Sequence, residues 1–387
     1  MGIFSKRKVM EFCAGLTILL AMIGLVTQPM VTVNSAKEGL ELCFNVIVPT
    51  LFPFFVLSSM LIELGIVRYL GKFFEKVMRP LFNLNGACAA AFALGFVGGY
   101  PTGARTAISI YEKGMCSKTE AERMLGFCNN SGPAFILGVV GAGIFSSGSA
   151  GVMLYLTHML ASATVGIIFR FYKRRDRSTG KKSLIAFESV SFTEAFTTSV
   201  KSGLTATLNI CAFVVFFTVS IKMLAIFGII PLLAKCIAVL LMPLGITADA
   251  AERIITGFIE VSSGVWSLRD AAGGMRQQLA MAAFMLGWAG ISVHCQVLSF
   301  IGESGISTRT YIIGKFMHGI ISAIYAYIFS GMLGITAPVS SLLVEQLQGI
   351  TSLGFTDSLA ISVTVSAVIS AATAVFLAYQ KRKRVSG

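Results

Sequence analysis

From Gly151 to Phe169, and again from Ser202 to Ile221, the sequence contains no Asp, Glu, Lys or Arg. At about 1.5 Å of rise per residue, each stretch is long enough as a helix to cross the roughly 30 Å hydrocarbon core of a bilayer. In that solvent every backbone N–H and C=O must be bonded within the protein, which leaves helices as the natural way across. The rest of the chain agrees. Only 13% of its 387 residues are charged, against about 25% in soluble domains, and the mean hydropathy is +0.80. Eighteen acids and 31 bases are too few to solvate a fold of this size. That excludes a cytosolic enzyme, a disordered chain and a nucleic-acid-binding module. The formal charge of +13 fits the positive-inside bias of membrane proteins. The expected fold class is an all-α polytopic membrane protein.

Lys6-Arg7-Lys8 followed by Val9 to Thr27 reads as a retained first transmembrane helix with its start in the cytoplasm. A second span, about Leu40 to Ile66, carries Pro49 and Pro53, which should kink it. Arg68 to Pro80 spaces its bases as an amphipathic surface helix would. Further spans are expected near Gly151–Tyr172, Gly203–Gly228, Gln278–Ile301, Ile312–Leu333 and Ser358–Tyr379. The basic run Lys173-Arg174-Arg175-Asp176-Arg177 and the terminal Lys381-Arg382-Lys383-Arg384 both read as cytoplasmic, which places the C-terminus inside as well. Leu81–Val97, Leu125–Phe145, Ile229–Leu244 and Ile254–Trp266 are short or interrupted, and read as half-helices or re-entrant hairpins.

The two halves repeat weakly but in order. Pro80-Leu81 matches Pro243-Leu244, Gly95-Phe96 matches Gly257-Phe258, and Gly103 matches Gly264. Leu125-Gly126-Phe127 matches Leu286-Gly287-Trp288, and His158 matches His318. The offset drifts in one direction, as it does between two copies separated by small deletions. The bases give the orientation. The His158 span ends in the cytoplasmic basic run, whereas the His318 span starts after Arg309 and Lys315, so corresponding helices cross in opposite directions. Region 68–123 also holds more bases than its counterpart 230–285. Inverted repeats with broken helices are a transporter architecture, with the solute site near the midplane. The expected organisation is a helix and loop over 1–39, a first repeat over 40–175 and a cytoplasmic linker over 176–200. A second, inverted repeat over 201–335 and an external loop, last span and basic tail over 336–387 complete it.

Two blocks are dense in polar and conformationally unusual residues: Gly98-Gly99-Tyr100-Pro101-Thr102-Gly103-Ala104-Arg105 and Leu125-Gly126-Phe127-Cys128-Asn129-Asn130-Ser131-Gly132-Pro133. They resemble the YlbJ-type sporulation integral membrane proteins (stage V sporulation protein V), within the larger set carrying the nucleoside recognition Gate domain. Tyr111-Glu112-Lys113-Gly114 and the following Ser117-Lys118 turn fit too. The resemblance implies an endospore former, residence in the mother-cell-derived outer forespore membrane, movement of dipicolinate toward the spore, and a fold similar to concentrative nucleoside transporters. The second copy has no family motif at the matching places, where it reads Glu260-Val261-Ser262-Ser263-Gly264 and Gly290-Ile291-Ser292-Val293-His294.

A helix that starts inside a membrane exposes unpaired N–H groups and is a ready anion site. Gly99, Tyr100, Pro101, Thr102 and Gly103 form one such start, and Asn129, Asn130, Ser131 and Gly132 another, with Asn and Ser in capping roles. Arg105 would complete a clamp on a carboxylate, and Tyr100 would stack on a flat solute. In the second copy Ser262, Ser263, Ser292 and His294 are candidate solute ligands, and Glu260 a candidate carrier of a coupling ion. The same glycines and prolines also serve close packing; for Arg105 a snorkelling surface role competes, for Glu260 a pair with Arg253 or Arg269, and for His294 a packing role. Glu112, Glu120, Glu122 and Lys118 read as a solvated turn and helix start. The eight cysteines form no Cys-x-x-Cys pair and read as small buried hydrophobes.

No metal or cofactor is expected, and hydrolytic motifs are absent, so the chain reads as a transporter and not an enzyme. Its partners are the lipid bilayer and a small anionic solute. A coupling ion and a homo-oligomer stay open, as do a scaffold of spore maturation without transport and a nucleoside-type transporter.

Overall fold

Proline is tolerated in the first turn of a helix, where its missing N–H had no partner to lose, and helix α1 (Pro29–Leu42) begins there. The computed structural model describes residues 19, 21–64, 76–174, 191–271 and 273–333. Ahead of Pro49 the helix widens to i→i+5 turns over Cys43–Ile47 and continues as α2 (Val48–Glu63), with Pro53 inside it. The proline ring crowds the carbonyl four residues back. The chain answers by widening, so Pro29–Leu57 remains one apolar span. The segment through residue 18, the expected surface helix up to residue 75, the basic run beyond 174 and the last span lie outside the described residues.

Helix α3 (Lys76–Phe82) meets the next apolar stretch at a 101° bend. That stretch ends as α4 (Ala89–Gly98), and the chain folds back as α5 (Thr102–Glu112). Next come α6 (Lys118–Leu125), an unwound segment, the wide-turned α7 (Ala134–Ile144) and the long α8 (Gly148–Phe169). Helix α9 (Phe192–Ile226) starts eleven residues earlier than Gly203, because Ser191 caps it. Part of the stretch read as a linker is therefore helix. Helix α10 (Ile229–Leu241) follows.

The order then repeats. Helices α11 (Ala248–Ile259) and α12 (Val261–Ser267) are a broken pair like α4 and α5, and α13 (Met275–Trp288) and α14 (Gly290–Ser304) a broken pair like α6 and α7. Helix α15 (Thr308–Met332) corresponds to α8. These are two inverted-topology repeats. Their long helices α8 and α15 pack on each other, with the His158 and His318 rings 4.3 Å apart and His318 Nε2–H donating to the His158 carbonyl at 3.0 Å. In the span containing α13, 72% of the residues in an 18-residue apolar stretch are buried, against 11% in α9, so α13 lies towards the centre and α9 at the periphery.

Two expectations need refining. The span near Gln278–Ile301 is found as Met275–Leu298, but its helix is not continuous: it is interrupted at Ala289, which is left-handed at φ 80°, followed by Gly290 at φ 80°. The break is hard to read from sequence because alanine rarely adopts that conformation. Nor is α6 solvated. Glu120, Glu122 and Arg123 are buried, while Glu112 and Lys118 are exposed. Glu120 completes a capping box with Ser117 and accepts from Asn85 N at 2.9 Å. Arg123 donates to the carbonyls of Tyr172, Asn83 and Lys173 at 2.8–2.9 Å. Glu122 pairs with Lys173 at 3.0 Å and accepts from Tyr172 Oη at 3.0 Å. That bond holds the exposed Lys173 ammonium above the ordinary lysine range. Helix α6 is thus fixed to the end of α8 by buried charges.

Candidate functional site

In the first repeat the hairpin turns at Gly99, whose φ of +70° suits glycine. A Cβ there would lie 3.0 Å from Gly132 N, and one on Gly132 would lie 3.3 Å from Gly99 Cα. The hairpin tip and the unwound segment therefore meet glycine to glycine. Behind the tip, a Cβ on Gly95 or Gly103 would fall 1.9 or 2.0 Å from the Cys128 carbonyl oxygen. That carbonyl is wedged between the hairpin's two limbs.

Asn129, Asn130 and Ser131 are fully buried, but they do not cap α7, which has no side-chain cap. Asn130 Nδ2 donates to its own turn at the Phe127 carbonyl, 3.0 Å, and Asn129 Nδ2 to Tyr311 Oη at 3.4 Å. The backbone N–H of Ser131 donates to His158 Nε2 at 3.1 Å, and Lys315 Nζ donates to the Asn129 carbonyl at 2.9 Å. The unwound backbone of the first repeat is thus held by side chains from the two long helices.

The second repeat is built in the same way. Gly290 abuts the hairpin break, since its Cβ would lie 2.9 Å from Val261 N. Glu260 sits extended at the break, and its carboxylate caps α12, accepting from Ser262 N at 3.0 Å and Ser263 N at 2.6 Å. Ser292 Oγ donates to the same carboxylate at 3.4 Å. The pairing of Glu260 with Arg253 or Arg269 is not found: Arg253 engages Asp249 at 2.9 Å and the Ser267 carbonyl, and Arg269 reaches Asp270 at 3.5 Å.

Between the two breaks lies a chamber of about 60 Å³. The first repeat supplies Gly99, Tyr100, Ser131 and Gly132, and the second supplies Glu260, Ser262, Ser292 and Gln296. Phe54, Phe55, Phe135 and Phe213 make its aromatic walls. Tyr100 Oη donates to the Leu286 carbonyl across the repeats. A wider vestibule of about 990 Å³ adjoins it, sharing Phe55, Tyr100, Phe213 and Gln296, and is lined further by Glu63, Lys113, Lys201, Asn209 and Cys295.

Seven of the sequence candidates face the chamber: Gly99, Tyr100, Ser131, Gly132, Glu260, Ser262 and Ser292. Pro101, Thr102 and Arg105 face the vestibule instead. Arg105 lies a turn along α5 and is exposed there, so it does not clamp a solute between the tips. Gly103, Asn129, Asn130, Ser263 and His294 line neither cavity. Ser263 Oγ is bonded to Thr218 Oγ1 at 3.0 Å, and His294 Nδ1 to Tyr311 Oη at 2.9 Å. The sequence reading missed Gln296, the phenylalanine walls and above all Lys315. By its position Lys315 reads as a base at the inner end of its span, yet it is fully buried. The available signal was its spacing: Tyr311, Lys315 and His318 share one helix face, and an ionisable group within an apolar run is costly.

Residues 44–175 match the family model described as Gate, nucleoside recognition. The chain is 27% identical over 317 residues to the sporulation integral membrane protein YlbJ of Bacillus subtilis (strain 168), covering 78% of each chain. Among solved structures, it is similar to CNTnw, a concentrative nucleoside transporter. An outward-facing variant gives a TM-score of 0.55 at 13% identity over 86% of this chain and 87% of that one. A variant in an intermediate state gives 0.56 at 14% identity over 82% and 92%.

Proposed function

We propose that this chain, a multi-pass membrane protein with a Gate segment and the fold of the concentrative nucleoside transporters, carries a small flat anionic solute across a spore-forming cell's membrane. The solute that fits the resemblance to sporulation proteins is dipicolinate, moved from the mother cell toward the forespore. One observation carries the transport reading: two helix breaks from each repeat meet at a single chamber. Irregular backbone at membrane depth is tolerated where it lines a cavity, and a scaffold would have no use for four breaks at one point.

The aromatic walls with Tyr100 suit a planar ring. Arg105, Lys113 and Lys201 make the vestibule attractive to an anion before it reaches the chamber. By the positive-inside bias, the face bearing Lys113 and Lys201 is cytoplasmic, so the vestibule opens toward the cytoplasm and the arrangement is inward-facing. Both termini then lie in the cytoplasm, and the surrounding membrane is the outer forespore membrane. An enzymatic reading finds little support, since Ser292 bonds Glu260 and His294 bonds Tyr311, so these two do not form a nucleophile–base pair.

A second reading has its own support. Glu260, Ser262, Ser292 and Gln296 place a carboxylate and neutral polar groups in the chamber, which favours a hydroxyl-bearing neutral solute such as a nucleoside. Uptake of labelled dipicolinate and of uridine into vesicles containing the purified full chain separates the two. Cys295, exposed in the vestibule, gives an independent measure, because a bound solute should slow its reaction with a maleimide. Uptake of neither compound, with no protection of Cys295, would overturn the transport reading.

A further inference from the structure

Lys315 is wholly buried at the junction of the repeats. Its Nζ donates to the Asn129 carbonyl at 2.9 Å, stands 3.5 Å from His318 Nδ1, and lies 5.2 Å from the centre of the Tyr100 ring, which lines the chamber. The groups facing it are Cys128 and Asn129 from the unwound segment, His158 from α8, His294 from α14, Tyr100 from the hairpin tip, and Tyr311 and His318 on its own helix. None is an acid. Helix α13, packed most closely on α15, has Arg276 as its only charged residue, and that side chain is bonded to the Tyr327 carbonyl. On α6, Glu120 is held by Asn85 and Ser117, and Glu122 by Lys173 and Tyr172. Glu260 has both oxygens committed to the start of α12. Among the described residues, no carboxylate pairs with this lysine.

A buried ammonium with no counter-charge is held at a cost, and an anion brought nearby removes that cost. Tyr100 both lines the chamber and stands against Lys315, so an anionic solute in the chamber supplies the missing charge across that residue. We propose that Lys315 carries a coupling proton: the amine takes up one proton when an anionic solute enters the chamber and returns it when the solute leaves. This rests on the transport reading above and adds the ion, making the chain a proton symporter. A hydronium ion in the vestibule water gives up the proton: one of its O–H bonds breaks, the Nζ lone pair forms the new N–H bond, and water is left behind. Because linkage is reciprocal, protonation must tighten solute binding by the same factor by which the solute tightens protonation.

The experiment uses the purified full chain, pyridine-2,6-dicarboxylate as probe, and a weakly buffered solution with a pH indicator. Wild type should take up about one proton per solute bound, and its affinity should fall by up to about tenfold per pH unit as pH rises. Lys315→Arg keeps its charge at every accessible pH; it should bind with no proton uptake and a flat pH profile. In Glu260→Gln, whatever happens to affinity, the protons taken up per solute bound should stay at about one. Binding to wild type without proton uptake would overturn the proposal and leave the transport reading standing. Undiminished uptake in Lys315→Arg, or uptake lost only in Glu260→Gln, would also overturn it. No binding of the dicarboxylate to wild type would overturn the anion-transport reading and this proposal with it. The wild-type measurements stand even where Lys315→Arg does not fold.

Discussion

Replacing Gly103 with alanine tests whether the hairpin is seated where the chamber requires it. The added methyl would lie 2.0 Å from the Cys128 carbonyl oxygen and 2.8 Å from its carbon, with Gly95 Cα at 2.9 Å on the far side. All three atoms are backbone, so no side chain can swing away. Restoring even a 3.0 Å contact moves the limb or the unwound segment by about 1 Å, and overpacking of this kind costs about 1–3 kcal/mol or more. The displaced atoms belong to the wall that carries Ser131 and Gly132. A misplacement of about 1 Å in a positioned site is enough to lower its activity about a hundredfold. Gly148→Ala is the control, since nothing stands within 4 Å of its Cβ. Thermal unfolding in detergent and initial uptake into vesicles would be measured for both. Gly103→Ala should melt several degrees lower and transport at least about tenfold more slowly, with Gly148→Ala close to wild type. Equal melting and equal uptake in the two variants would refute the wedged-carbonyl packing. Gly264→Ala, whose Cβ would lie 2.1 Å from Gly257 Cα, should behave like Gly103→Ala because the second repeat closes in the same way.

Arg123→Gln removes a buried guanidinium that donates to three part-buried carbonyls and should destabilise the protein by about 3 kcal/mol or more, read by chemical unfolding. Arg105→Gln should slow uptake several-fold at low salt and little at high salt, because the residue faces a wet vestibule where charge acts by steering; complete loss at all salt concentrations would show that it contacts the solute. Glu260→Ala removes the cap of α12 at a cost of about 0.5–2 kcal/mol, and should lower uptake far more than stability, as Glu260 also lines the chamber. The folded-state pKa of Lys173 is raised by Glu122 above the unfolded value of 10.5. Its contribution is therefore complete below that pH and is lost as pH rises through the raised value. The melting temperature of wild type should converge with that of Lys173→Met as the solution passes above pH 10.5.

What the residues determine alone is the solvent they fold in and the points where helices must stop. Apolar runs such as Gly151–Phe169 leave a bilayer as the only medium that matches them, and the density of Gly, Pro and Asn at 98–103 and 129–133 marks two places where a helix cannot run on. The paired glycines at 95 and 103, and at 257 and 264, were legible as a repeat because close backbone approach tolerates no side chain at those positions. Burial was not legible. Glu122 and Arg123 look like any charged helix start until the end of α8 folds over them, and Lys315 looks like a flanking base until the unwound segment offers it a carbonyl. The Ala289 break depends on tertiary contacts at Val261 and Glu260, not on a local preference for a left-handed turn. Whether a polar side chain faces the chamber, the vestibule or the space behind the wall depends on contacts more than a hundred residues apart in the chain. Local sequence carries no record of those separations.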